Sequence, residues 1–446
     1  MSKAANPVFV CEACGGQAAK WQGQCPHCSQ WNTLVQRVVS RRVGAAVVQP
    51  ALQGLAGLAQ PAPRLPSGQG ELDRVLGGGI VPGSAVLLGG DPGIGKSTLL
   101  LQVAAQVAGG ARVLYASGEE SIAQIGLRAQ RLGLAAEQLA ILAETDLEAI
   151  LAQAATHRAA LLVVDSIQTV QSAVIESSPG AVSQLRECTA ALVRFAKSTG
   201  TAVVIVGHVT KEGSIAGPRL LEHLVDTVLY FESEVGSRYR IVRATKNRFG
   251  AANELGFFAM TEAGLKEVRN PAAIFLARAP EPAAGSLVTV AREGGRSLLI
   301  ELQALVDRMR FGAPRRIAQG LDANRVAMLL AVLNRHAAVS LQEHDVFVNV
   351  VGGIQIGETA CDLPVALALA SSLKDRALER SLVVFGEIGL TGEVRPVAYG
   401  EDRLREAHKQ GFGRAIVPRE NAPRKALPGL EVRAVSRLAE ALEAAF

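Results

Sequence analysis

Short apolar runs alternate with amphipathic segments through the middle of the chain. Residues 85–88, 112–116 and 161–164 are runs of the length expected for strands that are buried on both faces. The segments between them carry apolar residues at helical spacing, as residues 98–107 do. Strands that alternate with helices in this way favour a parallel sheet covered on both sides. The pattern therefore predicts an α/β core, which we place over residues 67–270.

The pattern is different on either side of this core. Residues 1–36 contain four clustered cysteines, and residues 37–66 mix Arg, Ala, Gly, Gln and Pro without a sustained period, as a mobile linker does. Further on, strands predicted at 286–291 and 298–306 follow each other directly, so residues 271–446 are expected to form an α+β domain. A chain of 446 residues has room for this arrangement, at about 150 residues per domain.

Composition narrows the class of protein. No apolar run approaches the roughly 18 residues of a membrane span, and no signal-peptide apolar region stands at the N-terminus, so we expect a cytoplasmic protein without a membrane partner. Six cysteines, four of them clustered, indicate metal binding in a reducing compartment rather than disulfides. A net charge of +5 permits a nucleic-acid partner without requiring one.

A glycine-rich segment joins the first predicted strand to the first long helix. It reads G-D-P-G-I-G-K-S and matches the phosphate-binding P-loop, G-x-x-x-x-G-K-[ST]. Backbone N–H groups of such a loop surround the phosphates of ATP, and the helix N-terminus adds partial positive charge. We expect Lys96 to reach the β- and γ-phosphates and Ser97 to hold Mg²⁺. The predicted nucleotide-binding residues are Gly90, Asp91, Pro92, Gly93, Ile94, Gly95, Lys96, Ser97 and Thr98.

Polar residues follow three further strands. Asp165 ends a buried run in the Walker B pattern and is expected to hold Mg²⁺ through water. Glu119 follows another strand, where a carboxylate polarises the attacking water, and Glu120 is the alternative for this role. His208 lies where a sensor of the γ-phosphate would lie, although a loop histidine with local partners is the other interpretation.

The four clustered cysteines have the spacing of a metal site. Cys11-x-x-Cys14 and Cys25-x-x-Cys28 together close four thiolates around a tetrahedral Zn²⁺. Such a short segment depends on its metal, which contributes about 10–16 kcal/mol in comparable fingers. His27 lies within the second pair and is not expected to bind, because structural zinc sites close at four ligands.

Two tryptophans flank the second cysteine pair. Trp21 and Trp31 are the only tryptophans in the chain. One interpretation is packing against the metal core, and the other is stacking on the bases of single-stranded nucleic acid. The sequence leaves both open.

Several motifs together resemble a known family. L-D-x-x-L-G-G-G-I at residues 72–80, the P-loop, Ser-Gly-Glu-Glu at 117–120 and the Walker B strand resemble the RecA/DnaB-type ATPases. K-N-R-F-G at 246–250 is similar to the motif of the RadA (Sms) family of bacterial repair ATPases, and the likeness extends over nearly the whole chain. The resemblance implies a DNA-dependent ATPase that promotes branch migration in recombination and double-strand-break repair. It also implies a homo-hexamer around single-stranded DNA that acts on branched DNA beside a RecA-type filament.

Basic residues within this resemblance are expected to contact phosphates. In ring ATPases of this type a Lys-x-Arg pair reaches the γ-phosphate of the neighbouring subunit. Lys246 and Arg248 are therefore expected to be catalytic in trans. Such cations raise the rate of hydrolysis by a factor of about 10³–10⁵. A basic turn that contacts DNA is the alternative. DNA is expected to meet the loop at 168–183 and the loop at 211–219, where Lys211 and Arg219 neutralise phosphates.

The segment at 385–397 resembles Lon proteases, so residues 271–446 are expected to be a Lon-protease-like domain. The catalytic serine would fall at Ala360, and Asp402 stands among the residues where the lysine would fall. Thr359 and Cys361 are nearby nucleophiles without a matching lysine. The domain is therefore expected to be non-proteolytic, with an ATP-dependent Lon-like protease as the disfavoured alternative.

Overall fold

The computed structural model describes residues 8–37, 63–208, 218–233, 238–276, 281–309 and 312–446. The chain divides into two compact units, Met1–Val268 and Arg269–Phe446. Most of the predicted linker at 37–66 lies outside the described residues. Among the helices of the described part, none combines the length and the apolar character that crossing a bilayer takes.

The N-terminal part of the first unit is a small antiparallel sheet. Its strand order is β2-β1-β3, with β1 (Val8–Cys11), β2 (Gln17–Ala18) and β3 (Leu34–Arg37). Its buried centre consists largely of cysteine side chains together with Ala18 and Leu34. An apolar core this small cannot stabilise a fold alone, which agrees with a segment that depends on a metal.

The rest of this unit is built on a nine-stranded sheet with the order β12-β11-β10-β9-β4-β8-β7-β5-β6. The six strands from β9 to β6 in that order are parallel, and β9 to β12 pair antiparallel. The strands are β4 (Ala85–Gly90), β5 (Val113–Ser117), β6 (Ala140–Ala143), β7 (Leu161–Asp165), β8 (Ala202–His208), β9 (Thr227–Glu232), β10 (Tyr239–Asn247), β11 (Leu255–Thr261) and β12 (Gly264–Glu267). The predicted α/β fold is confirmed.

Helices cover both faces of this sheet. One apolar cluster includes Leu99 and Val163 and a second includes Leu192 and Val164, so adjacent residues of β7 point into opposite layers. Local sequence sets the helix starts, because Ser121 forms a capping box and Asp146 accepts a capping hydrogen bond. The helices are α1 (Gly70–Val75), α2 (Lys96–Ala108), α3 (Ile122–Arg131), α4 (Leu147–His157), α5 (Val182–Thr199) and α6 (Pro218–Leu221).

The second unit has a mixed seven-stranded sheet with the order β15-β16-β14-β13-β17-β20-β21 and a separate pair, β18 with β19. Its strands are β13 (Ser286–Glu293), β14 (Arg296–Arg308), β15 (Arg316–Gln319), β16 (His344–Val350), β17 (Leu382–Val384), β18 (Glu387–Ile388), β19 (Val394–Arg395), β20 (Arg414–Pro418) and β21 (Glu431–Val435). Its helices are α7 (Ala272–Phe275), α8 (Ala323–Ala337), α9 (Asp362–Lys374), α10 (Gly400–Lys409) and α11 (Leu438–Ala445). Long antiparallel β13 and β14 occur beside parallel pairs, as expected for α+β.

Candidate nucleotide site and metal centre

The P-loop connects the end of β4 to the start of α2. Gly93 and Gly95 have φ values of 77° and 116°, which favour glycine over any other residue. At Gly95 a Cβ atom would also lie 2.7 Å from the Met260 side chain. The loop therefore depends on its glycines, and it leaves the first N–H groups of α2 facing the place where phosphates bind.

Lys96 is held inside this loop and is only 3% exposed. Its Nζ atom donates hydrogen bonds to the carbonyls of Gly90 at 2.7 Å and Asp91 at 2.9 Å, and lies 3.1 Å from Nδ1 of His208. Burial lowers the pKa of Lys96 to about 8. Because an ammonium group only donates, Nδ1 of His208 accepts, and the ring proton lies on Nε2.

Glu119 lies next to the same histidine. Its Oε1 is 3.1 Å from Nε2 of His208 and also accepts a hydrogen bond from the hydroxyl of Ser166. These hydrogen bonds, led by that of His208, lower the pKa of Glu119 to about 2. Glu120 instead forms an ion pair with Arg128 of α3. The two neighbouring glutamates thus have different environments, and Glu119 is the one near Lys96.

Asp165 ends β7 beside the end of β5. It pairs in register with Ser117, two residues before Glu119. Its Oδ2 accepts a hydrogen bond of 2.5 Å from the hydroxyl of Tyr115, whereas Oδ1 is buried and has no partner among the described residues. Oδ1 of Asp165 and the hydroxyl of Ser97 in the P-loop are oxygen ligands of the kind that Mg²⁺ binds. The residues present therefore fit the predicted cation.

Lys246 and Arg248 lie at the opposite edge of the sheet from the P-loop. Asn247 pairs with Thr227 at the start of β9, and Thr227 pairs with Val86 near the start of β4. The P-loop follows the other end of β4, and so the two basic residues do not meet the P-loop of their own chain.

Both basic side chains have partners at that edge. Nζ of Lys246 donates to the carbonyls of Glu222 and Val225 at 2.7 and 2.8 Å, and its pKa is lowered, chiefly by burial. A guanidinium nitrogen of Arg248 lies 3.2 Å from the buried carboxylate of Asp226, although the side chain of Arg248 is 55% exposed. Arg248 is therefore the more accessible of the two cations.

One strand joins the two edges. Arg240, near the start of β10, donates from Nε to the P-loop carbonyl of Ile94 at 3.1 Å. Lys246 lies six residues further along the same strand, about 20 Å away at the usual rise of a strand. A single element thus contacts the P-loop at one end and carries the K-N-R-F-G segment at the other.

The four cysteines of the N-terminal sheet converge. Their sulfur atoms all lie within 4.8 Å of one another, and Cys11–Cys28 and Cys14–Cys25 are 3.6 Å apart. A tetrahedron with Zn–S bonds of about 2.3 Å has edges of about 3.8 Å, so the thiols fit Zn²⁺. Within the described residues the cluster consists of these four cysteines, and that His27 does not bind stays a prediction.

The tryptophans beside this cluster are not packed into it. Trp21 is 58% exposed and Trp31 is 70% exposed. The interpretation that they pack against the metal core is therefore wrong. A three-stranded sheet with so small a centre has no space to bury two indoles, so both rings face solvent.

In the second unit, the side chains around the segment that resembles Lon proteases are buried or held by other side chains. Burial raises the pKa of the Cys361 thiol, and Thr359 donates to Glu387 at 2.6 Å. The position expected for a lysine lies beside Arg403, which is 1% exposed and donates to both carboxylate oxygens of Glu358 at 2.8 and 2.6 Å. Arginine does not act as a general base, because it keeps its proton.

The fold and site define a RecA-like P-loop ATPase with an N-terminal zinc ribbon. Models of protein families match in three places: an AAA domain at residues 58–214, a rubredoxin metal binding domain at 9–36, and subunit ChlI of Mg-chelatase at 322–421. Among solved structures, the crystal structure of the RadB recombinase matches at 23% identity and a TM-score of 0.37, over 46% of this chain and 100% of the RadB chain.

Full-length relatives are much closer. Proteins described as DNA repair protein RadA match from Pseudomonas aeruginosa at 54% identity and from Escherichia coli at 51%, each over 99% of both chains. The protein of the same description from Bacillus subtilis is 49% identical over 97% of both chains. The chain therefore belongs to the RadA family of DNA repair proteins, and the predicted family resemblance is confirmed.

The structure adds two site residues that the sequence did not predict. Tyr115 and Ser166 bind the carboxylates of Asp165 and Glu119, respectively. Ser166 directly follows Asp165 and was visible as a polar residue at a strand end. Tyr115 lay inside an apolar run and gave no signal of its own.

Proposed function

We propose that the chain is a DNA-dependent ATPase that works as a ring motor in recombination and double-strand-break repair, where it promotes branch migration of strand-exchange intermediates. One observation carries the proposal: Lys96 at the start of α2, Glu119 just after β5 and Asp165 at the end of β7 lie at one edge of the sheet, with His208 between the first two. The description of the relatives as DNA repair proteins supports the biological setting.

Each residue of this set has a role that its environment supports. The P-loop amides and Lys96 bind the phosphates of ATP. Glu119 is kept deprotonated by its hydrogen bonds. It orients the attacking water or accepts a proton from it. Asp165 and Ser97 hold Mg²⁺, which supplies charge neutralisation at the phosphates.

Lys246 and Arg248 complete the site of a neighbouring subunit. Their position at the far edge of the sheet supports action in trans, because they do not meet the P-loop of their own chain. A chain that lends its cations to a neighbour requires a closed ring or a filament. We propose the homo-hexamer that the family resemblance implies. A basic turn that contacts DNA stays the alternative.

DNA contacts come from loops at the channel of this ring. The loop at 168–183 has no Lys or Arg, so it offers little to phosphates. We therefore assign the larger role to Lys211 and Arg219, although Lys211 and the side chain of Arg219 lie outside the described residues. Single-stranded and branched DNA are the proposed substrates, and a RecA-type filament is the proposed protein partner.

The zinc ribbon and the second unit are proposed as accessory parts. The ribbon holds Zn²⁺ through its four cysteines and presents Trp21 and Trp31 to a partner or to bases. All six cysteines are unpaired, which supports work in the reducing cytoplasm. We propose that the second unit is a Lon-protease-like scaffold, and the ion pair of Arg403 with Glu358 argues against peptide cleavage.

One experiment tests the central proposal. ATP turnover of the full chain is measured with and without single-stranded DNA, and the mass of the assembly is measured in the same buffers. We expect turnover to rise with DNA and the active species to be a hexamer. A monomer that hydrolyses ATP at the same rate with or without DNA would contradict the motor. Degradation of casein that depends on ATP would restore the protease alternative.

A further inference from the structure

Tyr115 places a polar atom in the apolar layer between the sheet and its covering helices. Its side chain is 1% exposed and packs in the cluster that contains Leu99 and Val163. A phenol hydroxyl buried among apolar side chains is unfavourable unless it forms a hydrogen bond. The hydroxyl of Tyr115 forms that bond with Oδ2 of Asp165, at 2.5 Å.

The direction of this hydrogen bond is fixed. The phenol hydroxyl of Tyr115 is the group that carries a proton and an ionised carboxylate only accepts, so Tyr115 donates to Oδ2 of Asp165. The geometry is also fixed by the sheet. Tyr115 pairs with Val163 of the neighbouring strand, and Asp165 lies two residues further along on the same face. Both residues belong to strands that have a neighbouring strand on each side, and neither is on a loop.

The hydrogen bond makes the two oxygens of Asp165 unequal. Oδ2 is occupied by Tyr115, whereas Oδ1 is buried and has no partner among the described residues. A carboxylate with one oxygen fixed cannot rotate freely about its Cβ–Cγ bond. The hydrogen bond with Tyr115 thereby determines that Oδ1 is the oxygen left without a partner among the described residues.

We propose that Tyr115 is a positioning residue for the divalent cation of the nucleotide site. Its hydroxyl holds Asp165 so that Oδ1 is presented to Mg²⁺ or to a water molecule of the Mg²⁺ shell. The inference rests on the proposed function, because it takes Mg·ATP as the ligand. Tyr115 itself touches neither the cation nor the nucleotide. Its effect is on the affinity for the cation and on the orientation of Asp165.

The test is Tyr115→Phe in the full-length chain, a change that removes only the hydroxyl. Binding of a fluorescent ATP analogue is titrated with Mg²⁺, and the concentration for half-saturation is measured. Loss of an outer hydrogen bond to a metal-binding carboxylate commonly weakens metal affinity by 10–100-fold, so we expect the half-saturating Mg²⁺ concentration to rise by about that factor. Binding of the analogue in EDTA should be unchanged.

Tyr230→Phe is a matched control. The hydroxyl of Tyr230 donates to a carboxylate oxygen of Glu222 at 2.7 Å, outside the predicted cation site. This variant should keep the half-saturating Mg²⁺ concentration of the parent chain. In an Asp165→Asn background, Tyr115→Phe should produce no further shift, because the two changes act on the same interaction.

The outcomes separate the inference from the proposed function. If Tyr115→Phe lowers the melting temperature but leaves Mg²⁺ half-saturation as in Tyr230→Phe, Tyr115 is only structural and the inference is overturned. The same holds if the shift persists in full with Asp165→Asn. If the parent chain binds the analogue without any influence of Mg²⁺, it is the proposed Mg·ATP chemistry that fails.

Discussion

Nδ1 of His208 lies 3.1 Å from Nζ of Lys96, and the other ring nitrogen lies 3.1 Å from Glu119. One imidazole thus connects the residue that we propose to bind phosphate to the residue that we propose to activate water. In the absence of phosphate it gives the buried ammonium of Lys96 a hydrogen-bond acceptor. When phosphate takes over that role, His208 loses one of its two partners. This arrangement supports the interpretation of His208 as a phosphate sensor, which stays a prediction.

Nucleotide affinity should depend on pH through Lys96. In the nucleotide-free chain its pKa is about 8, so the amine loses its proton as the pH rises through that value. Phosphate binds the charged form, and at pH 9 most chains must take up a proton first. We expect the dissociation constant for ATP to rise about tenfold between pH 7 and pH 9, as measured by fluorescence titration. Lys96→Ala should bind weakly with little dependence on pH, and an equal slope in both chains would contradict the assignment.

Substitutions of the two neighbouring glutamates should have clearly different effects on ATP turnover. Glu119→Gln keeps the shape of the side chain but removes the base, so we expect turnover to fall by about 10²–10⁴ while ATP still binds. Glu120→Gln breaks only the ion pair with Arg128, which is worth about 1 kcal/mol or less, and should keep most of its turnover. Steady-state ATPase assays and nucleotide titrations of both variants check this. The reverse order of effects would assign the base to Glu120.

Arg248 should act across a subunit boundary. Arg248→Ala is expected to lose ATP turnover by about 10³-fold or more, because its own P-loop remains intact but the neighbour's site lacks a cation. Lys96→Ala is expected to be inactive for the opposite reason. Mixed assemblies of the two variants contain interfaces where an intact P-loop meets an intact Arg248, and turnover should partly return. Mixtures that remain as inactive as the separate variants would favour the DNA-contact alternative.

Metal removal should affect the ribbon and spare the ATPase core. Cys25→Ser with Cys28→Ser removes two of the four thiolates, so we expect loss of bound zinc, measured by atomic absorption. The melting transition of the core should be retained, because its apolar clusters do not include the ribbon. Cys188→Ala, at a cysteine of α5, is the control and should keep the metal. Full zinc content in the double variant would contradict the four-cysteine site.

The parts of the fold that the sequence predicted depend on local patterns. The P-loop, its strand and its helix are adjacent in the chain, and the Walker B carboxylate follows directly from a run of four apolar residues. The caps at Ser121 and Asp146 are likewise read within a few residues. The residues of such features are neighbours in the chain as well as in space, so the sequence alone shows them.

The parts that the sequence did not predict depend on register and on the size of the core. Tyr115 is 50 residues away from Asp165 along the chain, and only the pairing of β5 with β7 brings the hydroxyl to the carboxylate. The placement of Lys246 far from its own P-loop follows from the antiparallel pairing of β10 with β9. Trp21 and Trp31 are exposed because so small a sheet has no interior for them, which composition alone does not show.

The position of strand β10 determines what happens in rings that mix normal and altered subunits. Through Arg240 it contacts the P-loop of its own chain. Through Lys246, and through Arg248 directly after its end, it serves the neighbouring chain in the proposed ring. A lesion in this one strand would therefore disable two of the six catalytic interfaces at once. A minority of altered subunits would then inactivate most hexamers. A gene copy that encodes the altered subunit would therefore be dominant over the normal copy.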